Sequence, residues 1–368
     1  GLEKVKALQI HAGPLALAHI QANSLKPQDI SVIPGAAGGP KGLILGPMDR
    51  YLFDQWLPRS TQPIDLVGAS IGAWRMATAC LPNPRAELLA LEEAYVHQNY
   101  KLSPGQKRPT AQQVSDDFSA NLHRFYDGRI HKVLQHPRYR LHVMTSRGRG
   151  ILQTDSALRT TLGYAGAYLT NAVNRRAMGL WLQRVVFSSA FLGHAQPLPF
   201  HTDDYSTQQI ALSEDNFLDA VQASCSIPFV LKAVNGIHGA PSGAYWDGGI
   251  TDYHLHLNWN EPKGPERAIV LYPHFQQNVV PGWLDKALKW RHGATPFLDH
   301  TIVLAPNPEW VKTLPNGKLP DRKDFMTYDR DLAGRVRVWT TAAKASQQLA
   351  DEWAQWLYKP ELSRIQSL

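Results

Sequence analysis

Ser70 stands at the centre of Gly68-Ala69-Ser70-Ile71-Gly72, a G-x-S-x-G pentapeptide inside the stretch Ile64 to Cys80. A serine hydroxyl becomes a nucleophile only where its proton can be removed and its oxygen stands clear of the backbone. The flanking residues address the second condition. Ile64, Leu66 and Val67 form a short apolar run with β-branched members, while Ala73, Met76, Ala77 and Cys80 recur at helical spacing. A strand that turns sharply into a helix at the serine is a nucleophile elbow. Gly68 and Gly72 suit such a turn, because backbone passing close on both sides leaves no room for a Cβ. The helix N-terminus would favour a developing anion. Gly and Ser are common enough that the pentapeptide alone marks a small-residue turn, and its strand-helix context gives it weight.

A second stretch with chemical potential follows the apolar run from Asp29, which breaks at Gly35 into Ala36-Ala37-Gly38-Gly39-Pro40-Lys41-Gly42. It lacks the spacing and the Ser/Thr of a Walker A loop and the G-x-G-x-x-G of a dinucleotide fold. The readings left are a flexible tight turn or a nest of backbone N–H groups able to hold an oxyanion. A helical stripe follows through Leu43, Ile44, Met48, Tyr51, Leu52, Trp56 and Leu57, with Pro47 a kink or an early-turn residue. A third stretch, Gly243 to Ile250, places Asp247-Gly248-Gly249 at the end of a short strand. Asp-Gly-Gly by itself is often only a turn.

The elements that would position these residues alternate between strand and helix. Leu141 to Thr145, Arg184 to Ser189, Arg267 to Tyr272 and Thr301 to Leu304 have strand character. Arg85 to Tyr100 has an amphipathic pattern with Leu88, Leu89, Leu91 and Tyr95 inward, and 101–140 has the look of a helical insertion. Phe217 to Leu231 reads as a helix running into a small-residue turn, and Asp331 to Tyr358 as one long closing helix. Such alternation predicts an α/β fold, a mixed central sheet covered on both faces in three layers.

The 368 residues, 43% of them hydrophobic, suffice for a large core. No apolar run reaches the length that spans a bilayer, so a cytoplasmic or peripheral membrane location without signal peptide or transmembrane segment is expected. Cys80 and Cys225 lie in apolar or small-residue stretches and read as buried thiols. The net charge of +7 predicts attraction to anionic partners. Arg147-Gly148-Arg149-Gly150 is a basic loop, and no nucleic-acid partner is expected from it.

In combination, four blocks in this order resemble the patatin-like phospholipase family: the glycine-rich loop Ala37 to Gly42, the elbow Gly68 to Gly72, the block Ala223 to Phe229, and Asp247-Gly248-Gly249. The resemblance spans roughly Asp29 to Asp252. It implies a core over 29–252 with the insertion near 101–140, an N-terminal segment 1–28, and a C-terminal extension 253–368 packed on the core. It also implies a catalytic dyad, Ser70 as nucleophile and Asp247 as its base, with an oxyanion hole drawn from Gly38, Gly39, Lys41 and Gly42. Ala37 stands where the family usually has a third glycine, and Pro40 has no N–H to give. The implied activity is hydrolysis of ester-linked acyl chains of phospholipids or other acyl esters, with no cofactor and no metal.

Two other readings stay open on residues alone. An α/β-hydrolase triad could draw its histidine from His254, His256, His274, His292 or His300, and a catalytically silent lipid-binding protein could use the same fold. His254-x-His256 would put two imidazoles on one strand face, but no third metal ligand is placed. Pro281 to Gly293, with Trp283, Leu284, Ala287 and Leu288 edged by Lys286, Lys289 and Arg291, has the composition of an interfacial helix for an anionic membrane surface.

Overall fold

The apolar runs become strands, and it is their register that brings the separated motifs together. The computed structural model describes residues 4–150, 153–156, 166–167, 170–171, 175–260, 269–282, 285–286, 288–291 and 293–368, with 175–177 and 289 in backbone alone. The strands are β1 (Leu8–Ala12), β2 (Ile30–Gly35), β3 (Ile64–Ala69), β4 (Tyr139–Gly148), β5 (Leu182–Ser188), β6 (Ala190–Phe191), β7 (His194–Ala195), β8 (Thr207–Ala211), β9 (Tyr245–Asp247), β10 (Ile269–Pro273), β11 (Thr301–Pro306) and β12 (Ile365–Ser367). Among the described residues ten of them make one mixed sheet, ordered β12-β1-β11-β10-β2-β3-β4-β5-β8 with β9 paired to β4, and β6 and β7 form a separate ribbon.

From β11 through β10, β2 and β3 to β4 the neighbours are parallel, while β1 on β11 and β5 on β4 are antiparallel. Helices lie on both sides of the sheet, the α/β three-layer arrangement the alternation predicts. Parallel strands covered on both faces read as near-continuous apolar runs, and every residue of β2, β3 and β11 is buried, Asp65 of β3 among them. The segments expected to flank the core enter this same sheet: 1–28 supplies β1, and 253–368 supplies β10, β11 and β12.

β4 acts as the ruler of the molecule. Its first part pairs with β3, ending with Ala69 opposite Met144. Its last part pairs antiparallel with β9, starting with Asp247 opposite Thr145. Because β5 holds the other edge along both parts, β3 and β9 share one edge of β4 and meet end to end. Ser70, the residue after Ala69, thus arrives at Asp247.

Two buried ion pairs fix the helices that carry this junction. Arg75, on the helix Ile71–Ala79 that follows Ser70, reaches Asp49 on the helix Gly46–Tyr51 with bonds of 2.7 and 2.9 Å. Arg184 of β5 grips Asp252, on the short helix Gly249–Asp252, at 2.7 and 2.8 Å, with both side chains fully buried. Loss of one member of such a pair leaves a charge in the interior at a cost of about 3–5 kcal/mol.

Several elements differ from the sequence expectation. The closing helix is two, Leu332–Ala345 and Gln347–Tyr358, divided at Ser346, whose hydroxyl donates back to the Ala343 carbonyl. Leu89 faces solvent, while Leu88 and Leu91 are buried. Within Pro281 to Gly293, Leu288 is buried, Lys286 and Trp290 are exposed, and the described helical residues are Asp285 and the turn Lys289–Arg291. Trp283, Leu284, Ala287 and His292 lie outside them. His254 and His256 are not on a strand, because Leu255 between them takes a left-handed φ of 54°. No helix among the described residues is long and apolar enough to cross a membrane, and Cys80 and Cys225 are buried free thiols.

Candidate active site

The turn at Ser70 is strained in the way an elbow requires. Ser70 has φ 58° and ψ −128°, a conformation that a side-chain-bearing residue holds only where its surroundings impose it. A Cβ on Gly68 would sit 2.5 Å from the Ala73 nitrogen, and one on Gly72 would fall 2.8 Å from the Ala36 carbonyl oxygen and onto that of Gly35. Both glycines are therefore conditions of the turn, and Gly72 also lets the end of β2 lie against it. The Ser70 N–H donates to Ser224 Oγ at 2.9 Å, and that hydroxyl donates in turn to the Met144 carbonyl at 2.6 Å. Ser224 thus ties the elbow to β4, a role inside the block Ala223 to Phe229 that its sequence does not announce.

The Ser70 hydroxyl stands beside the Asp247 carboxylate, near enough to favour its ionised form, and both residues are 5% exposed. The Gly249 N–H donates to Asp247 Oδ1 at 2.6 Å. The Asp247 main chain is held by Ser146 Oγ on its carbonyl at 2.9 Å and by donation of its N–H to the Ser226 carbonyl. Burial drives the carboxyl up to about 6, against the pull of the Ser70 hydroxyl, the Gly249 N–H, Arg322 and Lys286. A carboxylate poised there can take a proton near neutral pH. Cys225 is a further neighbour, its sulfur within hydrogen-bonding reach of the Ser70 hydroxyl and its thiol pushed well up by burial and by Asp247.

The glycine loop lies beside the elbow because β2 and β3 run parallel in register, Gly35 opposite Gly68. Gly38 has φ 145° and Gly39 φ 58°, open to glycine and costly to other residues. Neither N–H is engaged by a described residue. The Lys41 N–H turns back to the Gly38 carbonyl at 3.4 Å, and Gly42 lies inside the 3-10 turn Gly39–Leu45, where N–H groups serve the turn itself. Of the four expected donors, Gly38 and Gly39 are the ones left free.

Three cations surround this junction, Lys41 from the glycine-rich block and Arg322 and Lys286 from outside the four motif blocks. Arg322 lies over the loop, its Nε 3.2 Å from where a Gly39 Cβ would stand. Lys286 Nζ sits 4.4 Å from the ring centroid of Tyr253, and Lys41 Nζ 5.6 Å from that of Phe275. Lys286 is held down to about 8 by burial, by Lys41 and by Arg322, with Asp247 opposing.

Among the described residues no histidine hydrogen-bonds Ser70 or Asp247. His254 Nδ1 sits between the Asn278 carbonyl and the Val280 N–H, His274 Nε2 meets the Asn278 carbonyl, and His256 bridges the Val279 carbonyl and Thr295 Oγ1. Burial lowers His254 well below its ordinary value and His274 to about 3, so both are neutral. A Ser–His–Asp chain does exist elsewhere: Ser188 Oγ is 2.7 Å from His142 Nδ1, and His142 Nε2 is 2.8 Å from Asp65 Oδ1. All three are sealed within the sheet, and burial keeps His142 neutral at about 3. Without solvent access this chain is a structural polar network. No group of three His, Cys, Asp or Glu side chains among the described residues is placed to hold a metal.

Ser70, Gly39 and Arg322 line a cavity of about 670 Å³ whose apolar wall includes Ile71, Val114, Phe118, Ile227 and Leu231. That volume suits a small-molecule or acyl-chain site. Its mouth carries exposed Leu102, Phe229, Val230 and Met326, and Phe229 is turned outward on a left-handed φ of 69°. A larger cavity of about 810 Å³ between the helices Pro84–Val96 and Ala111–Tyr126 holds none of these site residues.

Fold and site together define an α/β protein with a buried serine–carboxylate pair at an elbow. No family model matches the chain, and no curated protein matches it in sequence. Among solved structures it is similar to the crystal structure of VipD from Legionella pneumophila, at 12% identity and a TM-score of 0.37, over 95% of this chain and 71% of that one. Likeness of this degree assigns neither family nor activity.

Proposed function

We propose that the protein is a serine acyl hydrolase of the patatin-like phospholipase type, cleaving acyl esters of lipids through a Ser70–Asp247 dyad. The observation that carries this reading is the Ser70 hydroxyl standing beside a buried carboxylate at a strained elbow, with no described histidine at either group. Asp247 takes the hydroxyl proton as Ser70 Oγ bonds to the ester carbonyl carbon. The carbonyl oxygen, now an oxyanion, is held by the Gly38 and Gly39 N–H groups and by the N-terminus of the helix Ile71–Ala79. As the C–O bond breaks, Asp247 returns the proton to the departing alcohol. Water then repeats the sequence on the acyl-enzyme, and Ser70 is regenerated.

A fluorophosphonate should label Ser70 and no other residue, because quick phosphonylation needs an activated serine beside oxyanion donors. Since the base must be ionised, the labelling rate should rise about tenfold per pH unit below the Asp247 value of about 6 and level off above it. Intact-mass and peptide mass spectrometry read both. Labelling that survives Ser70→Ala, or a rate flat from pH 4 to 8, would remove Ser70 or Asp247 from these roles.

Substrate is proposed to enter from an anionic membrane surface through the cavity mouth rather than through residues 281–293. The exposed side chains of Leu102, Phe229, Val230 and Met326 stand beside exposed Lys107 and Arg108, an apolar patch edged with positive charge. Phe229→Asp with Lys107→Glu should cut co-sedimentation with phosphatidylglycerol vesicles by about tenfold. Unchanged sedimentation of that double variant would place the contact elsewhere.

A further inference from the structure

Among the cations on the wall of the Ser70 cavity, Lys107, Arg108 and Arg322 are exposed, while Arg335 is buried, at 6% exposure. Arg335 forms no ion pair with a described carboxylate. Asp324, whose charge reaches it, is spent on Lys318 at 2.7 Å and on Trp339 Nε1 at 2.8 Å. The hydrogen bonds of Arg335 run from Nη2 to the Val96 and Gln98 carbonyls, and its Nε is buried without a partner. The rings of Phe325 and Trp339, each with its centroid 4.9 Å from the guanidinium carbon, hold the group without cancelling its charge. Arg335 also stands in the opening turn of the helix Leu332–Ala345, at the positive end of the dipole, where a cation is disfavoured. A charge kept against both burial and dipole marks a place where an anionic ligand would be stabilising.

The wall beside it adds a donor and a second cation. Both Arg335 and Arg322 act on the Tyr100 phenol, against the rise that burial gives it, and the Tyr100 hydroxyl makes only a long bond of 3.4 Å to Gln98 Oε1. Arg322 has no described acid partner either, since Asp321 is taken by Lys318 at 3.2 Å. Asp329 is the acid of this wall, and it pairs with none of the described cations. Elsewhere the wall is apolar, through Ile71, Val114, Phe118, Ile227 and Leu231. A complementary ligand therefore has an apolar chain and one small anionic end. A carboxylate suits that end, because one buried guanidinium fork neutralises a single charge through two parallel bonds, whereas a second charge would enter the apolar site uncompensated. We propose that Arg335 holds the carboxylate of a free fatty acid, with the Tyr100 hydroxyl and Arg322 beside it and the chain along Val114, Phe118 and Ile227, so that a bound fatty acid closes the cavity to esters. Such an acid is what hydrolysis of an acyl ester releases, which makes the contact a brake on turnover by its own product. The brake rests on the reading of Ser70 as the nucleophile, and the binding of the acid does not.

Calorimetric titration at neutral pH compares decanoate with decan-1-ol, one chain with and without the charge, on the wild type and its variants. The wild type should bind decanoate about tenfold or more tightly than the alcohol, and the preference should vanish in Arg335→Gln while affinity for the alcohol stays. Arg322→Gln should weaken the preference by about threefold, as befits an exposed neighbour. No preference in the wild type, or one that survives Arg335→Gln, overturns the proposal. A preference lost only in Arg322→Gln would seat the carboxylate at the glycine loop and overturns it too. If circular dichroism shows Arg335→Gln unfolded, Arg335→Lys decides, because it keeps the charge and loses the fork. A preference reduced about threefold or more in that variant upholds the proposal, and an unchanged one overturns it. The brake is read separately: decanoate should raise KM for a nitrophenyl ester with kcat unchanged, and do so less in Arg335→Gln. An unaltered KM at decanoate concentrations that saturate the titration overturns the brake. If no ester turns over and the fluorophosphonate does not label Ser70, the hydrolase reading fails by itself, and the titrations still decide the carboxylate site.

Discussion

Ser70→Ala and Asp247→Asn should each lower kcat on a short-chain nitrophenyl ester by about 10⁴-fold or more, while His254→Ala, His256→Ala and His274→Ala should stay within about threefold of wild type. The contrast follows from what each group touches. In the proposed mechanism Asp247 receives the Ser70 proton, and its amide analogue keeps the shape but cannot accept that proton. The three histidines are spent on main-chain groups around Asn278, Val279 and Val280, and His256 also on Thr295. A histidine whose loss equals that of Ser70 would replace the dyad with a triad. The same Asp247→Asn variant has a second signature. The folded-state value near 6 lies above the ordinary 3.8, so the folded protein holds a proton that the unfolded chain gives up between about pH 4 and 6. Wild-type stability therefore falls as pH rises through that window. Asp247→Asn, which cannot ionise, should be more stable than wild type by about 2–3 kcal/mol at pH 7 and should lose that advantage below pH 4. Urea titrations at the two pH values measure it. A variant both inactive and stabilised would mark Asp247 as a group kept for chemistry at the expense of the fold.

What could be read in the sequence was local, and what could not was set by register and by tertiary partners. The elbow is legible because strand, turn and helix lie within a few residues, and the two glycines state the crowding they relieve. The glycine loop is legible as a loop, but which N–H groups stay free depends on the Gly39–Leu45 turn closing back on itself, which engages Lys41 and Gly42. That β9 should follow β3 along one edge of β4 has no local signal, for it depends on pairings between Met144 and Ala69 and between Thr145 and Asp247. Without a family resemblance, Asp247 would have remained a turn residue. The break at Ser346 escaped because apolar spacing continues across it, with Trp339, Leu349 and Trp353 all buried. Lone arginines carry the least signal of all. Arg75 reads as a polar residue on a helix until Asp49 is seen against it, and Arg322 as a solvated charge until Gly39 is seen beneath it.

Gly38→Ala should lower kcat on the same ester by about 10²–10³-fold, an effect second only to loss of the dyad. Gly38 holds φ 145° and ψ 1°, which an L-residue with a side chain cannot adopt without strain, and its added methyl would stand 2.6 Å from the Phe275 ring. The loop must then shift, and with it the Gly38 and Gly39 N–H groups proposed to face the developing oxyanion. Because those bonds strengthen only as charge appears on the carbonyl oxygen, KM should change far less than kcat. Gly38→Ala with Phe275→Ala separates the two causes. Phe275→Ala makes room for the methyl but leaves the φ of Gly38 as it was. Recovery of activity in the double variant would make the ring contact the source of the defect, whereas persistence would make it the backbone conformation. Full activity in Gly38→Ala alone would remove this loop from catalysis and leave the oxyanion to the N-terminus of the helix Ile71–Ala79.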